Sequence, residues 1–309
     1  MLEVERLKLV EIGKKISELR KEMNLTQVEL AQGTCTQSLI SLIEKGETDP
    51  SAEVLFQIAK KLGVDVNYFF EIGSTSRLDY VNEVEKQLRR TRIFYRYNEM
   101  MEIVEAEEKN PMFYHDPRKL QLLYWHKSIY FAEEKKEYNK AIDLLKMAID
   151  LVPAKNRAYT ELELEMMMSL GGFEYRLEHF NEMLCQYQKV ETIINSTSRI
   201  LSDTTIKTRL YNNLGRAHTK IGKYEASNIL LNKGIDWCIE CGDLYLMPAL
   251  HYQIGYNHEL MGDYDKALEY LDYSISLYKL NSEYPLQEFL AGRRAHYIEK
   301  VKGYKSLSR

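Results

Sequence analysis

LTQVELAQGTCTQSLISLIEKG, residues Leu25–Gly46, decides how the N-terminal part of this chain folds. Its apolar positions form two short helical sets, interrupted by Gly33 and Thr34. Thr26 and Glu29 stand three apart, the spacing of a capping box, so a helix is expected to start at Gln27. Leu30 and Ala31 give that helix its buried side. Ile40 and Ile43, again three apart, give a second helix one apolar face. Gly46 ends it, because glycine tolerates a left-handed backbone. Two short helices joined by a small-residue turn are the helix-turn-helix arrangement, which lays its second helix in a DNA major groove. The face left to solvent carries Thr36, Gln37, Ser38 and Ser41, with Leu39 and Leu42 beside them. A glutamine amide can bond adenine as donor and acceptor together, and a leucine can pack on a thymine methyl. Gln37 and Ser38 are therefore expected at base edges, with Gln27 and Lys45 on phosphate.

Outward from this stretch, residues 11–70 read as a five-helix unit. Ile12, Ile16 and Leu19 mark the core face of the first helix. Ser51 is placed to cap a fourth, which carries Val54, Leu55, Ile58, Ala59 and Leu62 at helical spacing and stops at Gly63. Val66–Phe70 is a short fifth helix with Phe69 closing the core. EIGSTS at Glu71–Ser76 is the nearby break in small residues. Expected boundaries follow: residues 1–72 as a DNA-binding domain, 73–92 as a linking helix with Leu78, Val81, Val84 and Leu88 along one side, and 93–309 as a second domain.

That second part repeats itself. NLGRAHTKIGKYEASNILLNKG (Asn213–Gly234) and QIGYNHELMGDYDKALEYLDYS (Gln253–Ser274) align, and a weaker copy starts at Ser169. In each, an aromatic follows the first residue by eleven positions: Phe180, Tyr224 and Tyr264. Tyr138 and Tyr97 stand in similar settings. Gly171, Gly215 and Gly255 share one slot, and Ala141, Ala226 and Ala267 are assigned another. This is the tetratricopeptide pattern, in which helical hairpins stack into a superhelix with a concave face. Residues 284–302, with Leu286, Phe289, Leu290 and Ala295, read as a closing helix. The fold expected is all-α, a lambda-repressor-like helix-turn-helix domain followed by a tetratricopeptide-repeat superhelix.

Composition narrows the function. The 309 residues carry 42 Lys and Arg against 46 Asp and Glu, a net charge of −4. That is not the balance of an indiscriminate nucleic-acid binder, and it favours a homodimer whose two half-sites add their contacts. No apolar run approaches membrane-spanning length. MLEVERLKLV at the N-terminus has acidic residues where an export signal needs basic ones, so a cytoplasmic location is expected. Cys35, Cys185, Cys238 and Cys241 form no disulfide framework. Cys238-x-x-Cys241 has no second cysteine pair at metal-site spacing, and packing is its expected role. His115, His126 and His179 have no evident catalytic partners, and Met166–Met168 is expected to pack between repeats. No catalytic residue, metal ligand or cofactor is expected, and hence no enzyme.

A helix-turn-helix fused to such repeats resembles the PlcR/NprR/PrgX/Rgg group of peptide-sensing regulators from Gram-positive bacteria, over nearly the whole chain. The resemblance is to the PlcR-like branch, through Cys35, Ser38, Ser41, Ile43, Glu44 and Gly46 within Leu30–Gly46. It implies a transcription activator controlled by a short, re-imported signalling peptide and acting as a homodimer on palindromic double-stranded DNA. It also places Asn213 where the family holds peptide backbone, with Gln253 equivalent one repeat on. Asn257 is one turn after Gln253 and expected on the same face, beside Tyr256. Where that branch has lysines, this chain has Arg89, Arg90, Arg92 and Arg96 among aromatics, so Arg89 and Arg92 are expected to meet a peptide of different sequence. A different class stays open: the repeats could instead sequester a phosphorelay protein or another protein partner under peptide control.

Overall fold

The computed structural model describes residues 2–72, 76–154, 157–197, 200–280 and 287–307. No strand occurs among them. The chain divides into two compact units, residues 1–96 and 97–309.

The first unit contains α1 (Leu2–Glu22), α2 (Gln27–Ala31), α3 (Gln37–Glu44), α4 (Ala52–Lys61), α5 (Val66–Ile72) and α6 (Ser76–Ile93). Short-range chemistry sets where they begin. Glu29 N donates to Thr26 Oγ1 at 3.2 Å while Thr26 N donates to Glu29 Oε2 at 2.6 Å, the two halves of the capping box. Thr36 Oγ1 accepts from Leu39 N, and Ser51 Oγ accepts from Val54 N, each at 3.2 Å. Gly46 follows α3 with φ at +69°. Ile16, Leu30, Ile40, Ile58 and Phe69 are fully buried and form the core, with Ile12 and Leu19 packed at its margin. Leu39 also packs against this core, because a helix this short must use every apolar side chain on its inner half. This corrects its expected place beside the DNA-facing residues; Leu42 does stay 37% exposed.

α1 crosses the end of α3 closely enough that a Cβ on Gly13 would lie 2.0 Å from the Ile43 carbonyl oxygen. No side chain fits there. On α6, Val81, Val84 and Leu88 are already buried within the single chain; the side chain of Leu78 lies outside the described residues.

The second unit contains α7 (Tyr97–Glu107), α8 (Pro111–Tyr114), α9 (Pro117–Glu133), α10 (Tyr138–Asp150), α11 (Glu161–Arg176), α12 (Phe180–Asn195), α13 (Thr205–Lys220), α14 (Tyr224–Cys241), α15 (Met247–Leu260), α16 (Tyr264–Tyr278) and α17 (Gln287–Leu307). α9 pairs with α10, α11 with α12, α13 with α14 and α15 with α16, each hairpin packs on the next, and α17 closes against α16. The repeated aromatic has a definite job. Tyr97, Tyr138, Phe180, Tyr224 and Tyr264 are each the first residue of a helix. Two positions before each, the backbone turns through the left-handed region, at Tyr95, Lys136, Glu178, Gly222 and Gly262. Three of these five are not glycine. Each non-glycine costs roughly 1 kcal/mol in this conformation, which the flanking helices must hold in place.

The shared glycine slot is a helix crossing. A Cβ on Gly171 would sit 2.6 Å from the Tyr187 ring, and one on Gly215 would sit 2.4 Å from Leu231 Cδ2. The second slot needs a correction. Its occupant in α14 is Ser227, fully buried like Ala141 and Ala267, while Ala226 is half-buried. A serine fits because its hydroxyl donates back to the Gly215 carbonyl at 2.7 Å. In α17 the inward residues are Leu290 and Tyr297; Phe289 and Ala295 are exposed, and Leu286 lies outside the described residues. Met166–Met168 are buried as expected, two of them packed on side chains of α12 and α13. No described helix is long and apolar enough to cross a membrane.

Candidate nucleic-acid interface and inner wall of the repeats

The exposed end of α3 is wired to the core by a chain of polar contacts. Arg20 on α1 grips Glu44 on α3 with both prongs, Nε to Oε1 at 2.5 Å and Nη2 to Oε2 at 2.9 Å. Its remaining Nη1 donates to the Leu25 carbonyl at 2.7 Å. Glu44 Oε2 also accepts from Gln27 Nε2 at 2.9 Å, and Gln27 Oε1 accepts from Gln37 Nε2 at 2.7 Å. Burial pushes the Glu44 carboxyl up, but the hydrogen bonds from Arg20 and Gln27 outweigh it and hold the group below its ordinary value. The Glu44 hydrogen bond in turn raises Arg20.

This chain fixes what Gln37 offers. One amide hydrogen is spent on Gln27; the second hydrogen and the carbonyl stay available at an exposed position. That pair is what an adenine edge requires. Gln27 is half-buried and uses its amide on both sides, so its geometry is that of a positioning residue more than a phosphate ligand. Thr36 and Ser38 are exposed beside Gln37, Ser41 is half-buried, and Lys45 is exposed at the C-terminal end of α3. Sequence reasoning missed Arg20, Glu44 and Lys61 as the supports. Lys61 Nζ donates to the carbonyls of Glu29 at 2.9 Å, Leu30 at 3.1 Å and Gln32, closing the C-terminal end of α2. A charge opposite a helix end was a signal available in the sequence, but its partner lies some thirty residues away.

In the second unit, α9, α11, α13, α15 and α17 are the inner helices, and contacts between successive members draw the wall they share. Trp125 Nε1 donates to Ser169 Oγ at 2.9 Å. Arg209 holds Glu165 with two hydrogen bonds, at 3.0 and 2.9 Å, and also reaches Asp203 at 3.3 Å. Burial works against the Arg209 charge, and the Glu165 carboxylate more than offsets it. Further along, Thr219 on α13 accepts from Gln253 Nε2 at 3.0 Å and donates to Asn257 Oδ1 at 2.6 Å. One repeat later, Glu259 meets Arg293 and accepts from Tyr297 Oη at 2.7 Å. The sequence separations are the same in the two cases, 34 and 38, so this is one contact pattern repeated.

The expected peptide residues fall unequally on this wall. Asn213 is half-buried and its amide has no hydrogen-bond partner among the described residues. At the repeat position that Thr219 occupies opposite Gln253, the preceding repeat carries Tyr175 on α11. Gln253 is half-buried with one amide hydrogen on Thr219. Tyr256 is half-buried with the Arg293 guanidinium 5.6 Å from its ring centre. Asn257 is a correction. It is fully buried, and Nδ2 donates to Ser227 Oγ at 2.8 Å and to Asn228 Oδ1 at 2.7 Å. Its amide joins two hairpins and is not presented to a ligand. Arg89 is exposed and Arg92 half-buried on α6, in the first unit.

The cysteine pair is structural in its surroundings. Cys238 is buried beside Thr208 Oγ1 at 3.7 Å, and burial pushes its thiol and that of Cys241 up, away from reactive thiolate. Burial does the same to Cys35, in the turn before α3. No group of three or more His, Cys, Asp or Glu is placed to hold a metal ion among the described residues.

Comparison with known proteins agrees with this architecture. A helix-turn-helix family matches residues 16–69, and a tetratricopeptide-repeat family matches residues 208–238 and 248–279. No curated protein matches the chain in sequence. Among solved structures, Bacillus thuringiensis PlcR in complex with the peptide PapR7 and DNA is 20% identical, with a TM-score of 0.76, covering 91% of this chain and 99% of its own. ComR from S. thermophilus, in complex with DNA and its signalling peptide ComS, is 15% identical with a TM-score of 0.60, covering 93% and 99%. The Streptococcus dysgalactiae SHP pheromone receptor Rgg2 is 16% identical with a TM-score of 0.58, covering 96% and 99%. Over most of its length, then, this chain has the helix-turn-helix and tetratricopeptide-repeat fold of the regulators PlcR, ComR and Rgg2.

Proposed function

We propose that the chain is a peptide-controlled, DNA-binding transcription regulator, acting as a homodimer on a palindromic operator and, by its resemblance to the PlcR-like branch, as an activator. The observation that carries the DNA reading is the Arg20–Glu44–Gln27–Gln37 chain, which holds one exposed amide in a fixed orientation at the start of α3. Pre-orientation of this kind serves readout of a base edge, since a freely rotating amide would lose entropy on binding. The peptide reading is supported by Asn213, an unspent amide that can donate to a peptide carbonyl and accept from its N–H. PlcR and ComR, which share the fold, were each solved with a peptide and DNA together.

Selection from a random pool of duplex DNA tests the first part. The full chain should enrich a sequence with two half-sites whose centres lie about one helical turn apart or a multiple of it. Gln37→Ala should cost about 1–3 kcal/mol at one base position of each half-site and relax its specificity. No enrichment, or discrimination unchanged by Gln37→Ala, would overturn the docking of α3.

A further inference from the structure

Four basic side chains of the inner helices are neutralised by carboxylates. Arg209 holds Glu165, Lys220 lies 3.4 Å from Glu178, Arg293 meets Glu259, and Arg176 lies 3.9 Å from Glu133. Arg216 differs from these four. It is exposed, and no carboxylate lies within ion-pair distance of it among the described residues. Its guanidinium carbon instead lies 5.6 Å from the centre of the Tyr175 ring, across from α13 to α11. Arg216 is three residues after Asn213, so the two share a helical face. Tyr175 also stands at the repeat position that Thr219, the tether of Gln253, occupies one repeat on.

A guanidinium lying against a ring keeps its donor edge open, and that edge matches a carboxylate in a two-pronged geometry. We infer that Arg216 is a specificity-determining residue of the inner wall, and that the peptide taken there presents a carboxylate to it while Asn213 holds the adjoining backbone. The inference rests on the peptide reading of the repeat domain and names the chemistry that reading leaves open. The carboxylate can come from the peptide's own C-terminus or from an Asp or Glu side chain.

The test uses the full-length chain and a pooled library of synthetic heptapeptides, half with free C-termini and half amidated, with retained peptides identified by mass spectrometry. The wild-type chain should retain peptides enriched in carboxylate. Enrichment confined to free C-termini identifies the terminal carboxylate, and enrichment of Asp or Glu in both halves identifies a side chain. Arg216→Gln should weaken the best carboxylate-bearing peptide about fivefold and its neutral counterpart hardly at all. Arg216→Glu should reverse the selection toward Lys and Arg. Circular dichroism should show both variants folded, since Arg216 is exposed. Retention of peptides with no carboxylate preference, or a preference unmoved by Arg216→Glu, would overturn the inference and leave peptide binding intact. Retention of no peptide at all would overturn the peptide reading, and this inference with it.

Discussion

The recognition helix and the inner wall of the repeats use amides in opposite ways. In the first unit, Gln37 is tied through Gln27 to a buried ion pair, so its conformation is fixed before any ligand arrives. On the wall, amides at equivalent repeat positions have separate fates: Gln253 is tethered to Thr219, while Asn213 has no hydrogen-bond partner among the described residues. One turn beyond Gln253, Asn257 is sealed inside a hairpin junction. A helix-turn-helix is a single local construction in which each part has one task. A repeat array offers the same position several times, and each copy can be turned to packing, to tethering or to a ligand. The chemistry of a residue type therefore acts only together with its neighbours, and in the second region those neighbours differ from repeat to repeat.

Breaking the first region should give the largest effects. Gly13→Ala puts a Cβ against the Ile43 carbonyl oxygen, a backbone atom that cannot rotate away. We expect a loss of about 3 kcal/mol, at the upper end for overpacking, read as a lower urea midpoint for the first unit. An unchanged midpoint would mean that α1 and α3 do not cross here. Glu44→Ala should cost about 2 kcal/mol, less than for a fully buried pair, by leaving Arg20 without its partner. It should also weaken base discrimination at the position read by Gln37, because the amide chain loses its anchor. Weaker binding of every sequence alike, with discrimination intact, would sever Glu44 from recognition.

The second region is tested by a pair of matched substitutions. Asn257→Ala removes an amide from a buried network and should lower stability by about 1–3 kcal/mol. Asn213→Ala removes an amide with no partner and should leave stability unchanged while reducing affinity for a retained heptapeptide about tenfold. Calorimetric titration together with thermal melts separates the two. Equal losses of stability would erase the distinction between wall and interior.

The smallest expected effect is on pH. Burial lowers His251, and it lowers His258 despite the nearby Asp263. Both pack against the Tyr270 ring, at centroid distances of 6.0 and 5.6 Å. The folded state thus favours the neutral imidazoles. Stability is complete above the ordinary histidine value near about 6.5 and falls as pH drops from there through the lower folded value. Hydrogen exchange in α15 and α16 should rise over that interval, and His258→Gln should flatten the rise. Exchange independent of pH in this range, after correction for intrinsic rate, would remove the histidines from the account.

Sequence alone settled the features that depend on neighbours a few residues apart. The capping box at Thr26, the caps at Thr36 and Ser51, and the helix stop at Gly46 each follow from backbone groups that a nearby side chain must satisfy. The aromatic spacing that revealed the repeats is equally local, since it marks one turn geometry reused along the chain. Residue type nominated Gln37, and the family resemblance nominated Asn213. Tertiary structure decided the rest, because the partners lie far apart in sequence. Arg20 reaches Glu44, Lys61 reaches the end of α2, and Ser227 takes the slot assigned to Ala226 by bonding Gly215. Asn213 and Asn257 have the same side chain, and no local rule separates them. The fold does, by sealing Asn257 among Thr219, Ser227 and Asn228 while Asn213 stays half-buried with no hydrogen-bond partner among the described residues.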